Sequence, residues 1–326
     1  MQYSGLEQPL RKQSCGLFLG VGVSGNSTLF DGIEKLPAGH WLVYKNGDIS
    51  LQKYYYLNYE PDFSRSEDEW IEEIESTALK ILTEDQSDPK FNGAESFLSG
   101  GVDSSYLLAL SDIQTACSIG YDNSDSDESQ LAQITAENLG RNFRKRIVNS
   151  DLYFSTIPKV VSALGLPSAD LSSVVFYLGC EDVSKRASMC FSGEGADEFF
   201  AGYWLYKRAD ELAWDDGPLH FGCSGVMEQE LAEDLLLEKM PEFSCDSLVR
   251  DIYSETKNCE HLSRILAIDV KLYLEANIMF ALSRSSAAHG LQIRTPFADR
   301  RMFELAEKIP SINRNGTFDF HNEYGS

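Results

Sequence analysis

Apolar and polar residues change rhythm twice along the chain, and each change marks a different kind of structure. Over the first sixty residues the runs are short. HWLVYKNGDISLQKYYYL sets two β-rich stretches on either side of Asn46-Gly47, a pair that tolerates the positive φ angles of a two-residue hairpin turn, so a small β element is expected over residues 1–60. From Ser66 the spacing becomes helical. In SEDEWIEEIESTALKIL the apolar residues Trp70, Ile71, Ile74, Ala78, Leu79 and Leu82 follow a helical period, and acidic residues fill the first turn. Strands and helices then alternate: ESFLSG (95–100) as strand, SSYLLAL as helix, QTACSIGY as strand, DESQLAQITAENLG as helix ending on Gly140, and NFRKRIVNS as strand. Helical windows at 151–164 and 172–186 lead to the apolar strand ASMCFSG. Crossovers this short predict an α/β fold with a doubly wound parallel sheet.

After Glu198 the strand pattern disappears. QELAEDLLLEKM and SRILAIDVKLYLEANIMFAL are long and amphipathic, so a helical layer is expected to complete one domain over residues 61–326. The acidic runs EDEWIEEIE and EQELAEDLLLE lie on these helical patterns and read as solvated faces.

Composition narrows the function classes. Hydrophobic residues make up 43% of the 326 and aromatics 11%, which excludes a fibrous or globally disordered chain. Against 51 Asp and Glu stand 28 Lys and Arg, a net charge of −23, so there is no basic stripe to spare for a nucleic-acid partner. An anionic ligand must be held locally, by backbone N–H groups, a helix N-terminus, a metal ion or a few placed cations. The seven cysteines are scattered without a CxxC pair, which fits neither a disulfide framework nor a zinc knuckle. The opening MQYSGLEQPLRKQSCGLFLGVG is too short and glycine-broken for a signal peptide, and no stretch reaches the length of a membrane span. A cytoplasmic location without a membrane partner is expected.

Two segments carry chemistry. In Phe97-Leu98-Ser99-Gly100-Gly101-Val102-Asp103-Ser104-Ser105 a strand ends in Ser-Gly-Gly and a helix begins at once. The glycines allow a tight turn that points successive N–H groups at one spot, an anion cradle, and Asp103 suits it if a magnesium ion lies between carboxylate and phosphate. The second segment, Phe191 to Tyr203, repeats the plan with Glu194, Asp197 and Glu198 close together. Both loops fall at carboxyl ends of strands, where open parallel sheets bind ligands. Helix capping by the same serines and carboxylates is the simpler alternative.

With these motifs the chain resembles the synthetase half of the asparagine synthetase family, a branch of the N-type (PP-loop) ATP pyrophosphatases marked by SGGxDS, here Ser99 to Ser104. TLFDGIEKLPAGHWLVYKNG (28–47), SDSDESQLAQITAENLG (124–140), SGEGADEFFAGY (192–203) and RSSAAHGLQIRTPFADRRMFELAEKIP (284–310) match the family in order. The resemblance implies activation of a carboxylate by ATP as an acyl-adenylate, release of pyrophosphate, and attack by ammonia or an amine. It implies that Ser99, Gly100, Gly101, Asp103 and Ser104 hold the β and γ phosphates of ATP, with Val102 and Ser105 of the same loop also in the ATP site. Asp103 and Asp197 would coordinate Mg2+, while Leu98, Ile119, Gly120 and Gly193 fall where the adenosine packs. Glu194 would stand beside the acyl group and the nucleophile. Asp127, Glu128 and Asp170 are weaker matches, for which capping and substrate contact are equally open, and Arg294 is a substrate candidate as readily as a partner for carboxylates.

The departures matter too. No N-terminal glutaminase sequence with a cysteine nucleophile is present, so the expected donor is ammonia or an amine from elsewhere, with a separate glutaminase as a possible partner. The family continues past KIPSINRNGTFDFHNEYGS to a lysine near the α-phosphate, so the domain reads as truncated and a completing C-terminal subunit is a further candidate partner. Ser283 and Gln292 stand where acidic residues are usual, which leaves the carboxylate open. An ATP-dependent amide-forming ligase is the leading expectation. An intramolecular cyclase or peptide-tailoring ligase, and a non-catalytic nucleotide-binding subunit, are the alternatives. His40 and His289 are expected to be structural.

Overall fold

The computed structural model describes residues 9–22, 25–122, 127–206, 223, 225–227, 229–235 and 244–317. Segment 124–126 of the second family motif, the end of the QELAEDLLLEKM window and the last nine residues lie outside the described residues. The chain groups into two compact units, Met1–Glu60 with Trp204–Asn277, and Pro61–Tyr203 with Ile278–Ser326. Residues 204–277 thus group with the first sixty rather than with the sheet.

In the first unit β1 (His40–Lys45) and β2 (Asp48–Lys53) form an antiparallel hairpin, with Lys45 paired to Asp48 around Asn46 (φ 54°) and Gly47 (φ 96°). Both positive angles match the right-handed twist of the strands. This unit is not purely β at its start, because α1 (Lys12–Val21) is helical up to Gly22, whose φ of 70° ends it. Helices α8 (Gln229–Leu235), α9 (Cys245–Glu255) and α10 (His261–Asp269) complete the described elements. Asp269, at the end of α10, is fully buried and accepts hydrogen bonds from the Tyr206 hydroxyl (2.7 Å) and the Cys223 N–H (2.9 Å). The expected long helix continues past it as ten residues of π-helix, Val270–Met279.

The second unit opens with α2 (Glu67–Gln86), started by a capping box in which Ser66 and Glu69 satisfy each other's backbone N–H groups. Trp70, Ile74, Ala78, Ile81 and Leu82 form its buried face, while Ile71 and Leu79 of the expected set are exposed. Then follow β3 (Glu95–Phe97), α3 (Val102–Leu110), β4 (Thr115–Tyr121), α4 (Ser129–Asn138), β5 (Asn142–Val148), α5 (Ser150–Leu164), α6 (Ser172–Val183), β6 (Met189–Phe191) and α7 (Ala196–Phe200). After the π segment come α11 (Phe280–Ala288), β7 (Gln292–Arg294), α12 (Arg300–Ala306) and α13 (Ser311–Thr317). Five parallel strands lie in the order β5-β4-β3-β6-β7. The doubly wound α/β sheet is as expected, with one correction: a strand does follow Glu198. β7 is only three residues, two of them polar, and it becomes a strand by pairing with β6 through Cys190 to Ile293, not by any period of its own.

The order places the switch point between β3 and β6. The chain leaves β3 toward β4 and β5, then returns to the other side of β3. The loops after β3 and β6 therefore diverge from adjacent strand ends and leave a crevice there. At the opposite end of β3, buried Glu95 is held by the Arg186 guanidinium through two 3.0 Å hydrogen bonds.

Candidate active site

The loop after β3 is tied by its own hydroxyls. Ser104 Oγ accepts the Ser99 N–H (3.2 Å) and lies 3.1 Å from Ser99 Oγ, which in turn accepts the Gly101 N–H at 3.1 Å. Ser105 Oγ donates to the Gly101 carbonyl at 2.7 Å. Gly100 turns the chain at φ 95°, and a Cβ there would stand 3.0 Å from the Ala132 nitrogen of α4. The cap of α3 is Gly101, with no side-chain cap bond, so neither Asp103 nor a serine caps this helix. The loop after β6 approaches so closely that a Cβ on Gly193 would lie 3.0 Å from the Ser104 nitrogen. There, too, the helix cap is a glycine, Gly195, without a side-chain cap bond.

Between the loops lies a cavity of about 150 Å³ lined by Ser99, Gly101, Asp103, Ser104, Gly193, Glu194, Asp197 and Glu198. Asp103, Glu194 and Glu198 are held above the ordinary carboxyl range. Burial pushes Asp103 up to about 7, and the negative charges of Asp197 and Glu194 add to it. Burial and Asp197 raise Glu194 to about 7. Glu198, 1% exposed and bonded by the Tyr203 hydroxyl at 2.9 Å, is raised to about 8 by burial. The sequence places Glu198 in the same acidic string but assigns it no role, and the structure adds it to the lining of the void.

The pair Asp103 and Asp197 fits magnesium. Among the described residues no group of three or more His, Cys, Asp or Glu side chains is arranged to hold a metal ion by itself. Two carboxylates bordering a small, hydroxyl- and N–H-lined void suit an ion that takes one or two carboxylates and completes its shell with phosphate oxygens and water.

A second cavity, of about 600 Å³, shares Ser99, Ser192 and Glu194 with the first. Leu98, Ile119, Val175 and Phe176 give it apolar walls, and Asp127 and Glu128 lie on its border. Leu98 and Ile119, two of the residues that the family resemblance assigns to the adenosine, thus line one cavity. Gly120 lines neither cavity; it lies under the Lys145 side chain, and Gly193 belongs to the smaller void. Gly100, Val102 and Ser105 border a third, apolar cavity behind the loop.

Asp127 and Asp170 each bend the chain just ahead of a helix by accepting the N–H two residues on, while the N-caps themselves, Glu128 and Leu171, make no side-chain cap bond. Asp127 accepts the Ser129 N–H (3.2 Å) and pairs with Lys145 at 2.7 Å, which together hold it down to about 2. Asp170 accepts the Ser172 N–H at 2.8 Å, yet its Oδ2 is buried without a hydrogen-bond partner, and its charge acts on Glu194. Arg294 is not brought to these cavities: it pairs with Asp85 (2.9 Å) and Asp88 (3.2 Å). Arg300 and Arg301 likewise pair with Glu304 and with Asp299 and Glu84. His289 packs edge-on against Tyr177, 4.5 Å between ring centres.

A parallel α/β sheet with two glycine-turned loops and an acidic void at its switch point forms a crevice of the kind in which open α/β sheets bind ligands. The family follows from comparison. Residues 94–315, two thirds of the chain, match the asparagine synthase family, and the chain belongs to it. It is 24% identical to asparagine synthetase [glutamine-hydrolyzing] 1 of Bacillus subtilis over 89% of this chain and 52% of that protein. With asparagine synthetase of Gallus gallus the identity is 26% over 67% of this chain and 33% of the relative. The chain thus spans about half or less of the length of these curated relatives. Among solved structures, an NH3-dependent NAD synthetase from Campylobacter jejuni is similar with a TM-score of 0.31 and 16% identity, covering 41% of this chain and 60% of that one. Among the described residues no helix is long and apolar enough to cross a membrane.

Proposed function

We propose that the chain is the synthetase part of an ATP-dependent amide-forming ligase that activates a carboxylate as an acyl-adenylate. The observation that carries this reading is the juxtaposition, at the switch point, of the Ser99–Ser104 cradle with Asp103, Glu194 and Asp197. The nucleoside lies against Leu98 and Ile119 in the larger cavity. The terminal phosphates lie on the Gly101 and Ser104 side of the smaller one, at the N-terminus of α3. Asp103 and Asp197 would hold Mg2+, which when bound offsets the charge of the departing pyrophosphate.

In the first step a carboxylate oxygen of the substrate bonds to the α-phosphorus and pyrophosphate leaves. In the second, the nitrogen of ammonia or an amine bonds to the acyl carbon, AMP leaves, and the nitrogen loses a proton. Glu194 is poised for that proton: a carboxyl near 7 accepts one at neutral pH and returns it readily. The rest of the effect is positioning, since the loop after β3, tied by its own serine hydroxyls, loses little freedom when the ligand binds.

Calorimetry with ATP, with and without magnesium, on the wild type and Asp103→Ala tests the reading. Magnesium should tighten wild-type binding, and the substitution should weaken it by about 1.5–3 kcal/mol, the worth of one charge-assisted contact. Equal affinity in all four combinations would overturn it.

A further inference from the structure

We infer that the carboxylate substrate carries an extended apolar body, which leaves the larger cavity over Leu171 and lies along the outer face of α5. The inference rests on the amide-ligase reading above. A substrate the size of a single amino acid needs no apolar surface beyond the cavity, and this mouth has one. Leu171 lines the cavity and is 77% exposed. Its turn is fixed on both sides: Asp170 accepts the Ser172 N–H, and the Tyr153 hydroxyl donates to the Leu171 carbonyl at 2.8 Å. Leu171 is therefore held outward by built structure. Tyr153, on the same wall, packs edge-to-face against Phe154 at 5.6 Å, and Phe154 is 67% exposed.

From Phe154 the apolar surface continues along the helix. Phe154, Ile157 and Val161 recur at i, i+3 and i+7 and are all exposed, while Thr156, Val160 and Leu164 of α5 are buried. Single exposed apolar residues are ordinary, but here a stripe joins a cavity wall. That continuity selects the occupant. The larger cavity reaches from Glu194 to Leu171 and Tyr153, so a ligand whose reacting carboxyl stands at Glu194 can carry the rest of its body out over Leu171 to the stripe. Charge selects its chemistry: Glu128 borders this cavity with no cation paired to it among the described residues, and the Asp170 charge reaches Glu194, which disfavours a second carboxylate on the substrate and favours an uncharged apolar body.

The test is calorimetry in saturating magnesium and a non-hydrolysable ATP analogue, comparing N-octanoylglycine, acetate and aspartate on the wild type and on the double variant Phe154→Ser/Ile157→Ser. Both substituted residues are on the surface and outside the cavities. N-octanoylglycine should bind at least tenfold more tightly than aspartate or acetate, and the double variant should reduce that advantage to threefold or less with nucleotide affinity unchanged. Aspartate binding as tightly, no carboxylate binding, or an undiminished advantage in the variant would each overturn the inference while leaving the ligase reading standing if the nucleotide binds. Failure of the nucleotide to bind would overturn both.

Discussion

Asp103 and Asp127 are the same residue type at the same end of one sheet, and their surroundings treat them oppositely. Asp127 has a cation of its own in Lys145 and an N–H from Ser129, and is held down to about 2. Asp103 is half-buried beside Asp197 and Glu194 and is pushed up to about 7. A carboxylate that serves the fold is completed by the fold. Among the described residues no cation acts on Asp103 or Glu194, and their neighbours' negative charges raise both, so the folded chain carries an electrostatic cost there that a bound cation would relieve.

The strongest way to break this contrast is at Glu194, the acidic member bordering both cavities. Glu194→Gln keeps the shape and removes the proton acceptor. ATP affinity should stay within a few fold, while amide formation falls by about 10²–10⁴, the usual worth of general base catalysis, measured as product per enzyme by mass spectrometry. Wild-type turnover in the variant would reduce Glu194 to a loop-structuring group.

A smaller effect sharpens the comparison through stability. The folded pKa of Asp103 lies above its ordinary value near 4, so its contribution is fully present below about pH 4 and is lost as pH rises through 7. Asp103→Asn escapes that loss. Without metal or nucleotide the variant should be more stable than wild type by about 2 kcal/mol at pH 8 and by less than half of that at pH 5, read from denaturant melts. A variant less stable than wild type at both values would show that the cluster carries no such cost.

How far these features were legible in the sequence depends on how local they are. The alternation from β3 to β6 is written in short apolar runs divided by helical periods, each read within one window. The two loops are equally legible, because a glycine turn and the serines that brace it are sequence neighbours, as in the Ser99, Gly101 and Ser104 bonds. β7 was missed because three residues between Gly290 and Pro296 hold no period, and α1 because Gly16 and Gly20 interrupt its apolar run. Arg294 could not be assigned: its partners, Asp85 and Asp88, are more than two hundred positions earlier in the chain. Nor does the outer stripe of α5 announce itself, since a helix with apolar residues on two faces reads in sequence as merely more apolar.

The smallest effect is expected where the fold has already completed the charge. Lys145→Met removes the cation from Asp127 and leaves the Ser129 N–H in place as a second partner. Lys145 is part-exposed, so water takes over much of what the pair loses. The sign is opposite to that at Asp103. A carboxyl whose folded pKa is depressed contributes stability above about pH 4 and loses it as pH falls through 2, so Lys145→Met should be the less stable protein at neutral pH and should converge on wild type in strong acid. Thermal melts at pH 7 in low and high salt check this: a drop smaller in size than the change at Asp103, and smaller still in high salt, is expected. A loss at pH 7 larger than the gain from Asp103→Asn at pH 8 would mean that the Asp127–Lys145 pair, and not the acidic void, is the electrostatic centre of this end of the sheet.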